Sequence, residues 1–422
     1  MDIAYQKNIN VKYDADVFVA GAGPSGFAAA VSAARCGMKV ILSEQSGVIG
    51  GSSMLSGVPE LMNFDDGVNF LSKGIGREVY DRLGYSHSYS RSWHNVRPEE
   101  LKLIYDDLTL SSGVKVLFYT HLTDVIKEGD KITHAVLSSP EGSFAVSAKV
   151  FIDCTGQGFL SFLAGASFLY GDEDGSTMST TLCSVWGGVD FEKKKSEGDY
   201  EKAYREGVFS QYDPILPGIK ANFPEVGVGF GNVGHCFKVK DTDTESITEA
   251  MFKGRKILSE YEIYYRNYVP GAENAVLIKS ADFLGIRESR RVVCEYMLTT
   301  DTFFMKEAFP DEIGRYSYPV DIHPMSADKK GVKGFAKALS MRHENGESYS
   351  IPYRSLVVKG INNLLVAGRA IGADRGMQAS VRVIPCCYIT GQAAGTAASI
   401  SVRDNVPAKD INIEKLKKLL EL

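Results

Sequence analysis

The sequence predicts an α/β fold in which a parallel-sheet domain, assembled from both ends of the chain, is interrupted by an α+β domain. Three observations carry this expectation. Near the N-terminus an apolar run, a glycine-rich turn, an alanine-rich stretch and a second apolar run follow one another, the pattern of a βαβ unit. Near the C-terminus Leu364-Leu365-Val366-Ala367-Gly368 has the same short buried-strand character, and Gly391 to Ser401 has the small residues of a packed helix. Between them, from about 166 to 340, the chain carries charged patches such as Glu192-Lys193-Lys194-Lys195, isolated strand-like pieces and an amphipathic helix near 245–266. The expected division is 1–165 with 340–422 in one discontinuous domain and 166–339 in the other.

The elements follow in order. Val17-Phe18-Val19-Ala20 is an apolar run suited to a buried parallel strand. Gly21-Ala22-Gly23-Pro24-Ser25-Gly26 breaks it, Phe27 to Cys36 reads as helix, and Gly37 stands at the expected C-cap. Met38 to Glu44 is the second strand, ending in an acid. A polar loop, Gly47 to Gly57, precedes a helix over Pro98 to Leu110. After Gly113, the segments 114–119, 131–137 and 143–150 alternate as a small antiparallel sheet would. Val150 to Asp153 returns to a buried strand that stops at Cys154-Thr155-Gly156.

Composition narrows the function classes. At 422 residues, with 44% hydrophobic and 23% charged residues, the chain has ample core for a globular protein. Lys plus Arg number 47 against 52 Asp plus Glu, a net charge of −5 and a pI near 5.9, which leaves no basic footprint for nucleic acid or an anionic membrane. The seven cysteines are odd in number, scattered and without CxxC spacing, so reduced thiols and a cytoplasmic location are expected. The polar N-terminus lacks a signal-peptide core, and no apolar stretch is long enough to span a membrane.

Gly21-x-Gly23-x-x-Gly26 with Glu44 eighteen residues beyond its last glycine carries the chemistry. The first glycine permits the tight turn, the second lets a pyrophosphate approach the backbone, and the third brings helix and strand together. The phosphates then meet free N–H groups at the helix N-terminus, and Glu44 can accept from ribose hydroxyls. Gly229-Phe230-Gly231-Asn232-Val233-Gly234 also matches the spacing, yet no strand leads into it and no helix is expected after it, so it is read as a loop. One Rossmann-like fingerprint leaves NAD or FAD. Gly50-Gly51-Ser52-Ser53, just past the acid, and the Gly368…Gly391 strand–helix pair favour the longer cofactor, FAD.

These residues resemble the bacterial FAD-dependent oxidoreductases of the glutathione-reductase-like flavin fold, distantly like fumarate reductase flavoproteins, over nearly the whole chain. Phe151-Ile152-Asp153-Cys154-Thr155-Gly156 is similar to the family's second flavin motif, with Cys154 in place of Ala. Leu284 to Arg291, Tyr318 to His323, Ile351 to Leu356 and Leu364 to Gly395 resemble further family stretches, including Arg369 after Gly368. The resemblance implies cofactor contacts from Gly21, Gly23, Pro24, Ser25 and Gly26 to the pyrophosphate and from Glu44 and Gln45 to the adenosine ribose. It adds Gly51, Ser52 and Ser53, and Leu122, in a strand Val116 to Leu122, whose backbone would meet adenine. Thr155, Gly156, Gly368, Arg369, Arg382, Gly391 and Gln392 would surround the phosphates, ribityl chain and flavin.

Arg287, Arg290 and His323 are the candidate catalytic residues. On a helix, Arg287 would neighbour Arg290 and Arg291, and the arginines could clamp a carboxylate or hydroxylated substrate. The alternative is a structural network with Glu288 and Glu295. His323, next to Pro324, is placed for proton transfer by resemblance, against an ordinary buried histidine. His87, His94, His121, His134, His235 and His343 lack metal-ligand spacing, and no metal is expected. Adjacent Cys386 and Cys387 are read as packing rather than thiol chemistry. The expected reaction moves a hydride between a small polar organic substrate and flavin N5, with an unidentified electron donor or acceptor. A flavin monooxygenase, or an electron-transfer subunit acting only with a partner protein, are the alternatives.

Overall fold

The computed structural model describes residues 3–4, 6–58, 60–86, 89–215 and 218–421, the side chains of 329–332 apart. Its centre is a seven-stranded mixed sheet. Strand β1 (Val11–Ala20) leads through the glycine turn to helix α1 (Pro24–Arg35) and strand β2 (Val40–Ser43). Helix α2 (Pro98–Ser111) follows, then β3 (Lys115–Leu117) and a meander of β4 (His121–Glu128), β5 (Lys131–Ser139) and β6 (Gly142–Asp153). The middle of the chain contributes α3 (Thr244–Tyr268). The C-terminal part supplies β7 (Leu364–Val366), α4 (Arg375–Val381) and α5 (Ile384–Asp404).

The parallel strands run in the order β3-β2-β1-β6-β7, so the two ends of the chain share one sheet. Val17 pairs with Val40 on one side and Val150 on the other, and this double flanking buries Val17–Ala20 completely, as their continuous apolar run requires. The strand begins earlier than the apolar run, because Lys12, Asp14 and Asp16 occupy its exposed start. Strand β6 is shared: its first half pairs antiparallel with β5, and its second half parallel with β7.

Two expectations about this region are corrected. Residues 114–119 do not enter the antiparallel sheet, and no single strand runs from Val116 to Leu122. The chain breaks at Tyr119, whose φ is +51°, so 115–117 is the parallel edge strand and the meander starts at His121. Hydrogen bonds from Glu44 N to Leu117 O and from Thr120 N to Glu44 O hold the break against the end of β2.

Helix α5 lies against α1 through small residues. A Cβ at Gly391 would stand 2.2 Å from Ser25 O, and one at Gly395 would stand 2.1 Å from Ala29 O. The Ser32 and Thr396 hydroxyls meet at 2.8 Å across the same contact. Gly395→Ala therefore forces backbones apart in a full core, and the expected loss is about 1–3 kcal/mol. A lowered midpoint in thermal unfolding, with the fold otherwise retained, checks this.

A second apolar cluster is drawn entirely from residues 182–284, with α3 packing Tyr261, Tyr264 and Tyr265 over a four-stranded antiparallel sheet. Asp243 caps α3 by accepting from Ser246 N. The second glycine triplet lies here, and its first half is a strand (Val228–Gly231), not the loop expected. Its glycines make room: a Cβ at Gly229 would sit 2.5 Å from Ile219, and one at Gly231 would sit 2.9 Å from the Ser184 hydroxyl. No helix follows. Leu298, Phe303, Ile313, Tyr316, Tyr318 and Val320 pack in the first cluster, with β1, α1 and α5. Among the described residues no helix is long and apolar enough to cross a membrane.

Candidate active site

The cofactor end is built on the β1–α1 turn. Gly21 has φ +89°, and a Cβ there would lie 2.7 Å from Cys154 O; a Cβ at Gly26 would lie 1.8 Å from Gly21 O. Both positions are glycine for the protein's own folding. Gly23 differs. Its backbone is extended (φ −63°, ψ 178°), open to any residue, and a Cβ there would meet nothing within 4 Å. The missing side chain leaves open space directly in front of the α1 N-terminus, where Pro24 occupies the first turn and no side chain caps the helix. That cradle fits the pyrophosphate of a dinucleotide.

Glu44 is buried and bound at both ends, Oε2 accepting from Ala22 N and Oε1 from Ser46 N, each at 2.8 Å. It ties the glycine turn to the end of β2 and keeps lone pairs for ribose hydroxyls. Gln45 beside it is exposed. Gly51 (φ +51°) packs on the turn, since its Cβ would come within 2.9 Å of Gly23 Cα. Ser52 is half-buried. Ser53 turns inward, its hydroxyl donating to Gly50 O at 2.7 Å. Leu122 sits in the meander opposite Leu137. Asp153, fully buried, organises the next loop by accepting from the Thr155 hydroxyl at 2.7 Å and from Ser161 N and Oγ at 2.8 Å. Gly156 follows at φ +72°.

The C-terminal elements close on this turn. Ser25 Oγ lies 2.5 Å from where a Gly368 Cβ would be, and Arg369 donates from Nε to Gly156 O at 2.7 Å and from Nη1 to Ile286 O. Gly391 and Gln392 do not begin a helix. Helix α5 starts at Ile384, Gly391 is a close-packing position within it, and Gln392 Oε1 accepts from Ile75 N at 2.8 Å. The apolar run before Gly391 continues the helix upstream, which the glycine concealed. Cys386 and Cys387 are buried in α5 as free thiols, and burial pushes Cys387 up to about 12.

Beside this junction lies a buried polar cluster. Arg382, just after α4, donates from Nη2 to Asp321 Oδ2 at 2.8 Å, and Tyr318 OH reaches the same oxygen at 3.3 Å. Asp321 Oδ1 is 3.4 Å from His323 Nε2. His323 Nδ1 is 3.1 Å from His235 Nε2, and His235 Nδ1 is 3.0 Å from Asp213 Oδ2. Arg287, also buried, donates to Ser179 O (2.9 Å), the Thr181 hydroxyl (2.8 Å) and Asn232 Oδ1 (3.0 Å).

Burial, then the nearby Arg287 charge, pushes His323 down to about 3, so its ring is neutral at pH 7. Burial works against the Asp321 carboxylate, but the Arg382 and Arg287 charges favour it, and the group is held below the usual range. Asp213 is likewise held low against burial by His235. Burial and Arg382 bring Arg287 down to about 10.

The structure thus gathers Arg287, His323 and Arg382. It does not bring Arg290 to them. Residues 286–290 are not helical, and Arg290 turns instead to Phe162 and Phe168, with its guanidinium carbon 4.4 and 5.3 Å from the ring centres, and to Gln157 O. Arg291 forms the structural pair foreseen with Glu288, at 2.7 Å, and Arg375 joins it. Asp213, His235 and Asn232 escaped sequence reasoning, because the contacts that place them span 22, 88 and 55 positions of the chain; Asp153, two residues before Thr155, and Asp321, two residues before His323, were within reach. Among the described residues no group of three or more His, Cys, Asp or Glu is placed to hold a metal ion; His87 lies outside them.

Thiamine thiazole synthase of Methanothermobacter thermautotrophicus is 29% identical over 161 residues, 36% of this chain and 60% of that protein. The chain thus spans less than two thirds of that relative's length. Urocanate reductase of Eggerthella lenta is 52% identical over 44 residues, 10% of this chain and 7% of that one. Among solved structures, a geranylgeranyl bacteriochlorophyll reductase-like protein from Thermoplasma acidophilum aligns with a TM-score of 0.48 at 14% identity, covering 97% of this chain and 83% of its own. The model of the FAD dependent oxidoreductase family matches residues 16–420, and with a single dinucleotide turn whose second glycine is open to a ligand, this chain belongs to that family of FAD enzymes.

Proposed function

We propose that the protein moves a hydride between a carbon of a small polar organic substrate and N5 of bound FAD, with the substrate held at the Arg287–His323–Arg382 cluster. The observation that carries this reading is the gathering of Arg382 and a neutral histidine on Asp321, with the buried Arg287 within electrostatic reach of it, bordered by buried polar atoms without hydrogen-bond partners: Ser179 Oγ, Gln378 Oε1 and Arg382 Nε. Orphaned polar atoms of this kind suit a polar ligand better than an apolar one. The cluster also adjoins the cofactor end, since Arg369, bonded to Gly156, lies within electrostatic reach of Arg382.

FAD, when bound, supplies the two-electron carrier. The arginines would orient a carboxylate or hydroxyl and balance charge developing on it. When a C–H carbon gives up its hydride, the adjoining O–H or N–H loses a proton, and His323 is the base that takes it; in the reverse direction it returns it. Gly23, with the α1 N-terminus, would hold the pyrophosphate, Glu44 the ribose, and Thr155, Gly156, Gly368 and Arg369 the stretch toward the ring. Under this reading 1–165 with 340–422 is the cofactor unit and 166–339 the substrate unit, the latter supported by the separate apolar cluster of 182–284. A second electron partner is required, and a cytoplasmic location suits seven unpaired cysteines.

Arg287→Ala tests the assignment. The holoenzyme is expected to retain FAD and to be reduced by substrate about 10²–10³-fold more slowly, as when one preorganised charge-stabilising donor is lost. Anaerobic stopped-flow absorbance reads the rate, and unchanged reduction returns Arg287 to a structural role.

A further inference from the structure

The contact pattern around His323 raises a question of proton count. Four side chains form a line, Asp213, His235, His323 and Asp321, with contacts of 3.0, 3.1 and 3.4 Å. Each of the three contacts needs one N–H, because the two ends are acceptor-only carboxylates and the middle is one ring nitrogen facing another. Two neutral imidazoles carry only two. The line is therefore one proton short, and the shortfall must fall somewhere.

The geometry locates it. Both carboxylates are fixed as acceptors, Asp213 by the His235 backbone N–H at 2.8 Å and Asp321 by Arg382 Nη2 at 2.8 Å, so the contact lengths decide, and the two shorter contacts, 3.0 and 3.1 Å, keep the protons. His235 must then carry its proton on Nδ1 and present a bare Nε2. That nitrogen can only accept, so His323 donates to it from Nδ1. His323 Nε2 is left without a proton, facing Asp321 across the longest of the three contacts.

We propose that Asp213 and His235 are positioning residues that lock His323 in its Nδ1–H tautomer, so that Nε2 is the atom that accepts the substrate's proton. This rests on the reading of His323 as the base and deepens it. A proton arriving at Nε2 completes the line: it is met by Asp321, and the resulting imidazolium is shared through Nδ1 with His235, whose own N–H stays on Asp213. Neither Asp213 nor His235 touches substrate. Both come from the part of the chain that holds the second apolar cluster or its edge, whereas His323 and Asp321 border the first, so the line assembles only when the two are packed together.

Asp213→Asn is the informative change. The amide oxygen can still accept the His235 backbone N–H, while its NH₂ faces His235 Nδ1 and converts that nitrogen to an acceptor. The whole line then reverses, and His323 is driven to the Nε2–H form. Holoenzyme labelled with ¹⁵N-histidine and observed by NMR, with His323 assigned by the signal lost in His323→Gln, should show protonated Nδ1 and bare Nε2 in the unsubstituted protein and the opposite in Asp213→Asn. Flavin reduction in Asp213→Asn should slow by about 10²-fold, the lower end for a misplaced general base. His323 already protonated on Nε2 in the unsubstituted protein overturns the proposal without any variant. Reversed tautomers with unslowed reduction overturn its catalytic part. Slow reduction in His323→Gln with tautomers unmoved by Asp213→Asn overturns the positioning chain and leaves the proposed function standing.

Discussion

Replacing Gly23 by valine should give a folded protein that no longer retains FAD. The three glycines of the turn are not equivalent. Gly21 has a left-handed backbone against Cys154 O, and Gly26 touches Gly21 O, so a side chain at either one disrupts the protein itself. Gly23 has ordinary angles and free space, so the fold gives no reason for a glycine there. Valine costs about 1 kcal/mol as a poorer N-cap, and its methyl groups fill the cradle before the α1 N-terminus. Losing two charge-assisted hydrogen bonds of about 1.5–3 kcal/mol each weakens the cofactor roughly 10²–10⁴-fold. Thermal unfolding near that of the apo protein together with a colourless preparation is the expected pair of results. Full flavin occupancy would remove the pyrophosphate from this turn.

His323→Gln should keep FAD and lose about 10²–10⁴-fold in the rate of flavin reduction by substrate. Glutamine retains an acceptor and a donor for His235 and Asp321, and the site is buried enough that bulk water does not readily replace the base. Because the His323 ring is already neutral at pH 7, the rate in the unsubstituted enzyme should not fall between pH 8 and pH 6 through protonation of this residue. A variant that reduces its flavin at the original rate would make His323 a packing residue.

The opening βαβ unit was legible because its signals are local: an apolar strand, glycines at fixed offsets, an alanine-rich helix and Glu44 all lie within one stretch of chain. The return of the C-terminal strand to the same sheet was legible from its buried-strand composition. What was hidden depended on contacts distant in the chain. The glycine at 391 looks like a helix start, but its role is set by Ser25 O, which belongs to another helix. Tyr119 breaks a strand because the end of β2 binds on both sides of it, and nothing in its own neighbourhood announces a left-handed residue. Arg287 and Arg290 diverge because the segment that carries them is not helical. The His235–His323 contact joins residues 88 apart, and neither carries a local sign of the other.

The central claim, hydride exchange between a small polar substrate and the bound flavin, is tested most directly by anaerobic titration of the oxidised holoenzyme with small carboxylic and hydroxy acids, amines and polar alcohols, following the flavin's visible absorption. The account predicts that at least one of them bleaches the flavin without oxygen, and that Arg287→Ala and His323→Gln slow that bleaching. Flavin that no such compound reduces, but that a nicotinamide donor reduces and oxygen then reoxidises with incorporation of an oxygen atom into a bound organic compound, would contradict it.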